Sequence, residues 1–89
     1  MAELIHQYSK PASGGNGGAY IARLYGHQRA DRMWEAWLEF VPINGARRTL
    51  RTDQETEQAN RDALTYWAAG VESSYLDGAL TRAHPREEE

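Results

Sequence analysis

Cysteine is absent from this 89-residue chain. That excludes a disulfide framework and any thiolate-held zinc site, and it leaves burial to supply the stability. Such usage fits a reducing compartment. No apolar run approaches the roughly 20 residues of a membrane span, and Glu3, His6 and Gln7 stand where a secretory signal would carry a basic start and a long apolar centre. A cytoplasmic protein is the expectation. Lysine is nearly missing as well: nine arginines stand against one lysine, beside thirteen alanines, a usage that GC-rich codons favour and that points to a bacterial genome. The three histidines, His6, His27 and His84, form no close-spaced pair, so zinc-ligand spacing is lacking and neither a metal nor any other cofactor is expected. No serine sits on a glycine-flanked elbow and no Ser, His and Asp set is evident, so nucleophilic catalysis has no reagent. Glu35 and Glu39 would lie about 13 Å apart along one strand, too far for a glycosidase pair. A non-enzymatic protein follows.

What is present suits one compact domain. Hydrophobic residues make up 40% of the chain, and at this length a single core buries roughly 60% of the unfolded surface. The net charge of -3 conceals two halves of opposite sign. Residues 20–52 carry six arginines against three acids, and residues 53–89 carry three arginines against nine acids. Complementary pairing within the fold explains this, as does a surface suited to self-association or a charged partner.

Residues 1–18 read as a flexible N-terminal segment, because the glycine-rich run after AELIHQY loses too much backbone entropy to hold a helix or a regular strand. That run lacks the preceding strand, the following helix and the lysine of a phosphate-binding loop. A single α+β domain is expected over residues 19–84, with 85–89 as a disordered acidic tail. Ala19 to His27 has the β-branched and aromatic content of a strand. Met33 to Val41 alternates cleanly, with Trp34, Ala36, Leu38 and Phe40 inward and Glu35, Trp37 and Glu39 outward. Asn44-Gly45 turns the chain into a third strand, Ala46 to Thr52. A three-residue loop with Gly45 in the left-handed position pairs Leu38 with Leu50 and Trp37 with Arg51; its weak point is Arg48 beside Phe40.

After Thr52 the period changes. Thr52 and Glu55 match a capping box, and Asn60, Ala63, Leu64, Trp67 and Val71 fall on one helical stripe, with Tyr66 at its edge, up to Gly70. A second short helix follows, with Ser74 and Asp77 as its capping box and Pro85 as its latest stop. The expected architecture is a three-stranded antiparallel meander packed against a long C-terminal helix and followed by a second short helix, β-β-β-α-α. In outline this is similar to double-stranded RNA-binding domains. Those carry a lysine cluster at the start of the final helix, whereas here that position reads Thr52 to Glu57, with three acids that would repel phosphate.

The outer sheet face is the candidate site. Trp37, Arg23, Tyr25, Arg47 and Arg51 would share it, and aromatics interleaved with arginine cover a partner's hot spot or stack bases. The expected function is binding of a protein partner or a second copy of the chain, with weak binding of single-stranded nucleic acid on the same face as the alternative and no role at a membrane. Alanine at Trp37 should then abolish capture without unfolding, unlike alanine at Trp34 or Trp67. Against this stands a purely internal explanation, in which Arg51 simply lies over Trp37 as a cation–π pair.

Overall fold

The computed structural model describes residues 1–14, 17–44 and 47–86. In chain order the elements are β1 (Glu3–Gln7), β2 (Ala12–Ser13), β3 (Ala19–Gln28), β4 (Trp34–Pro42), β5 (Leu50–Arg51), β6 (Thr56–Gln58), α1 (Arg61–Ala69), α2 (Ser73–Arg82) and β7 (His84–Pro85). Among the described residues the fold is α+β with an antiparallel sheet and two helices, as the patterning implies, but the sheet has seven strands rather than three.

Its spine is the β3–β4 hairpin, paired without interruption from Tyr20 opposite Pro42 to Gln28 opposite Trp34. The hairpin closes through Arg29, whose N–H donates to the Met33 carbonyl at 2.8 Å, and Arg32, whose N–H donates to the Arg29 carbonyl at 2.9 Å. Arg32 takes the left-handed conformation, φ 74°, that a three-residue loop of this kind demands. The Asp31 carboxylate supports the turn by accepting the Met33 N–H at 3.0 Å.

The additional strands satisfy the two open edges of this hairpin. β1 pairs along β3 with a bulge between Leu4 and His6, and β2 pairs with the start of β3. Part of residues 1–18 is therefore sheet; the glycine-rich run itself falls partly on residues 15 and 16, outside the described residues. On the other edge of β4, β5 and β6 act as one strand broken at Thr52. The buried Thr52 hydroxyl accepts the Leu38 N–H at 3.0 Å, the Thr52 N–H donates to the Leu38 carbonyl at 2.9 Å, and the Glu55 N–H donates to the Ala36 carbonyl at 2.8 Å. These bonds explain why the Thr52–Glu55 capping signal fails: exposed ladder groups on β4 need partners, and that requirement outranks a local cap. The helix begins later, with Asn60 as its cap accepting the Ala63 N–H at 2.8 Å, and it runs nine residues to the Gly70 cap. It is about two and a half turns long rather than four. Thr52 to Glu57, the acid-rich stretch compared with RNA-binding domains, is sheet edge and not a helix start.

The β4–β5 register also differs from the expected one. Phe40 faces Leu50 and Glu39 faces Arg51. A shift of two residues preserves which side chains share a face, and it removes the arginine from beside Phe40. Residues 45 and 46, the expected turn, lie outside the described residues. In α2 the cap position is Glu72, with no side-chain cap bond, and the Asp77 carboxylate instead accepts the Ser13 N–H at 3.3 Å. The helix stops before Pro85, which pairs in β7 with Leu50. Residues 87–89 of the expected tail lie outside the described residues.

One face of the sheet carries the core. Tyr20, Ala22 and Leu24 of β3 and Ala36, Leu38 and Phe40 of β4 pack with Leu64 and Ala68 of α1 and Leu76, Ala79 and Leu80 of α2. Gly26 permits the close approach of α1, since a Cβ there would lie 2.9 Å from Leu64 Cδ2 and 3.0 Å from the Glu35 carbonyl. The Tyr8 hydroxyl donates to the Ala68 carbonyl at 2.9 Å, and burial pushes its phenol up to about 12. Trp34, Leu50, Trp67 and Val71, expected at the centre, are partly buried at the rim, because α2 supplies the cover that one long helix was expected to give. The molecule measures 39 × 31 × 18 Å. Its thinnest dimension holds one sheet and one helical layer, so among the described residues the opposite face of the sheet has no second layer over it.

Candidate functional site

The odd-numbered positions of β3 and β4 form this open face. Four cross-strand rows follow from the register: Ile21 with Val41, Arg23 with Glu39, Tyr25 with Trp37, and His27 with Glu35. β5 adds Arg51 beside Glu39, β6 adds Glu57 beside Glu35, and β1 adds Leu4 beside Tyr25 and Gln7 beside Arg23. Ile43 extends the hydrophobic end, held by its N–H to the Ala19 carbonyl at 3.0 Å. The strand pairing thus brings together four of the five sequence-predicted residues, Arg23, Tyr25, Trp37 and Arg51. Arg47 is exposed in the segment before β5 and not in the ladder.

Trp37 is 8% exposed although no layer covers it. The Arg51 guanidinium carbon lies 4.4 Å from its ring centroid, and the His27 ring stands edge-on to it at 5.5 Å. Its indole N–H donates to Glu39 at 3.4 Å, and Glu39 in turn accepts from Arg86 at 3.1 Å. Trp34, on the core face, is less buried than Trp37. The expected contrast between the two is therefore reversed. A ring held on three sides by its own chain is the floor of the face rather than a protruding anchor.

The His27 and Glu35 end of the face is neutralised by ion pairs, whereas Arg23 in the central row meets a neutral side chain. Arg23 donates to Gln7 at 2.9 Å. His27 and Glu35 meet at 2.5 Å, and that hydrogen bond, with help from Arg29, holds the Glu35 carboxyl below the usual range. Arg29 also pairs with Glu57 and, at 2.7 Å, with Asp31. The Asp31 bond is the largest influence raising the guanidinium, and in return it holds Asp31 low. Arg29 with Glu57 joins the basic half of the chain to the acidic half, whereas Arg86 with Glu39 joins them in the opposite sense.

Sequence reasoning missed a second surface, on the helix side. Tyr66, Trp67, Val71 and Tyr75 line an open groove of about 560 Å³ where α1 ends and α2 begins. Tyr66 is 85% exposed, and Trp67 meets Tyr75 edge-on at 5.9 Å. The signal was the closeness of these aromatics to Gly70, which ends the helix before its stripe can be covered. Beneath the groove, the Glu55 side chain is 3% exposed; it accepts the Tyr75 hydroxyl and two bonds from Arg82, at 2.8 and 3.1 Å. Burial pushes this carboxyl up, but Arg82, Tyr75 and Thr52 together outweigh it and hold it below the ordinary range. Burial and the Glu55 bond raise the Tyr75 phenol.

Among the described residues, no cluster of three or more His, Asp or Glu side chains is arranged to hold a metal, and no helix is long and apolar enough to cross a membrane. No protein-family model, curated protein or solved structure matches the chain.

Proposed function

We propose that this is a non-enzymatic interaction domain that self-associates through the open sheet face, with Trp37 as its floor. The observation that supports the reading is where exposed aliphatic surface collects. Leu4 is 45% exposed and Ile43 55% exposed, and both lie on the face that no helix covers, at opposite ends of it. Tyr25, Ile21 and Val41, half-buried, adjoin them. A two-fold axis through the central Arg23, Glu39 and Arg51 row would lay the Leu4 and Tyr25 end of one copy on the Ile21, Val41 and Ile43 end of the other, so one surface is complementary to itself. Two such plates form a sandwich with sheets about 10 Å apart. Within each chain Glu39 pairs with Arg86, Arg23 donates to the neutral Gln7 and Arg51 lies over the Trp37 ring, so each side chain of the central row has a contact of its own.

Leu4→Glu and Ile43→Glu test this, because both side chains are exposed and neither holds the fold. Each variant should sediment as a 10.1 kDa monomer with an unchanged melting temperature, under conditions where the parent protein is a dimer. Parent and variants of equal mass would overturn the proposal. So would a face that captures single-stranded oligonucleotide with the steep salt dependence of phosphate contacts while the protein stays monomeric.

A further inference from the structure

The groove between α1 and α2 has a chemistry of its own. Three aromatic side chains line it, Tyr66, Trp67 and Tyr75, and among its described lining residues Glu72 is the one charged group. Glu72 is exposed and has no ion-pair partner among the described residues. The cations of the two helices are taken elsewhere: Arg61 pairs with Glu3 at 2.6 Å and Arg82 with Glu55 at 2.8 Å. The bond from the Tyr75 hydroxyl to Glu55 fixes one wall of the groove before any ligand arrives. An aromatic surface with an unneutralised carboxylate at its rim attracts a cation, and a planar guanidinium satisfies both parts at once, stacking on the rings while its N–H groups reach the carboxylate.

The same molecule contains the stacking half of that arrangement, with the carboxylate paired to a different arginine, Arg86. On the sheet side, Trp37 has the Arg51 guanidinium 4.4 Å from its ring centroid and the Glu39 carboxylate at its indole N–H. On the helix side the aromatic and the carboxylate recur, and among the described residues no guanidinium lies over Trp67. We propose that the groove binds an arginine side chain presented by an extended basic peptide of a partner protein, with the guanidinium stacked on Tyr66 and Trp67 and paired with Glu72. This site is separate from the sheet face and does not depend on self-association.

The test uses the peptide acetyl-Gly-Arg-Gly-Arg-Gly-amide and the same peptide with citrulline, a neutral isostere, in place of arginine. Each is titrated into the isotope-labelled full chain to about 5 mM, the range of weak single-site contacts. The arginine peptide should shift the Trp67 indole N–H and the Gly70 and Val71 amides and leave the Trp37 indole in place. Glu72→Gln and Tyr66→Ala, both on exposed side chains, should each weaken the arginine peptide by about fivefold, as expected for one exposed charged or cation–π contact. The proposal is overturned by any of three results: no shift at the highest concentration, equal binding of the citrulline peptide, or affinity unchanged by Glu72→Gln.

Discussion

Trp37 and Trp67 lie on opposite layers of an 18 Å plate, and the chain treats them in opposite ways. Trp37 has no secondary-structure layer above it, yet Arg51, His27 and Glu39 bury it to 8%. Trp67 belongs to the layer that makes the core, yet it remains partly exposed beside Tyr66. The difference lies in register and length. Strand pairing places Tyr25 beside Trp37 on one side, and on the other the long Arg51 side chain reaches diagonally over it. Trp67 sits in the last turn of a nine-residue helix, where the chain leaves at Gly70 before anything can cover it. Membership of a layer does not decide burial; the immediate neighbours do.

The strongest way to break this comparison is to remove each ring in turn. Trp37→Ala should destabilise the fold by about 3–5 kcal/mol in urea titration, and Trp67→Ala by about 2 kcal/mol, in proportion to what each buries. Equal losses, or the reverse order, would refute the contrast.

Acid should act on the helix side through Glu55. The Glu55 carboxyl is held low in the folded state, so its contribution is fully present above the ordinary glutamate pKa of about 4.3 and is lost as pH falls through the lower folded value. Glu55→Gln should reduce the stability at neutral pH by about 1 kcal/mol and flatten the acid limb of the stability curve. An acid limb unchanged by that substitution would show that the Tyr75, Glu55 and Arg82 network does not hold α2 to the sheet edge.

The smallest effects sharpen the comparison. Arg51→Ala removes a cation–π contact of about 0.5–1 kcal/mol and should expose Trp37, seen as a red shift and easier quenching of tryptophan fluorescence. Tyr66→Ala should change stability by less than about 0.5 kcal/mol, because that ring is already in water. If Arg51→Ala leaves the emission unchanged, Arg51 is not what shields the ring.

The two long strands were legible in the sequence because period-2 alternation over Trp34 to Val41 and the parity of Tyr20, Ala22 and Leu24 directly encode one buried face. The expected third strand, Ala46 to Thr52, is realised at Leu50–Arg51, whereas β6 and β7 had no signal. β6 and β7 are three and two residues long, too short for any period; β6 satisfies backbone groups of β4, and β7 those of β5. The Thr52 and Glu55 pair shows the limit most clearly: as a local signal it spells a helix cap, and in the fold both residues serve the sheet edge. The candidate face was legible through parity alone, which survives a register error of two residues. The burial of Trp37 was not, since it depends on the diagonal reach of Arg51 and on His27 beside it.

Self-association through the open face sets the mass of the unmodified protein in sedimentation equilibrium at about 5 μM and about 500 μM, a span that brackets micromolar association. The mass should rise with concentration from 10.1 kDa toward twice that value. A mass of 10.1 kDa at both concentrations would contradict self-association.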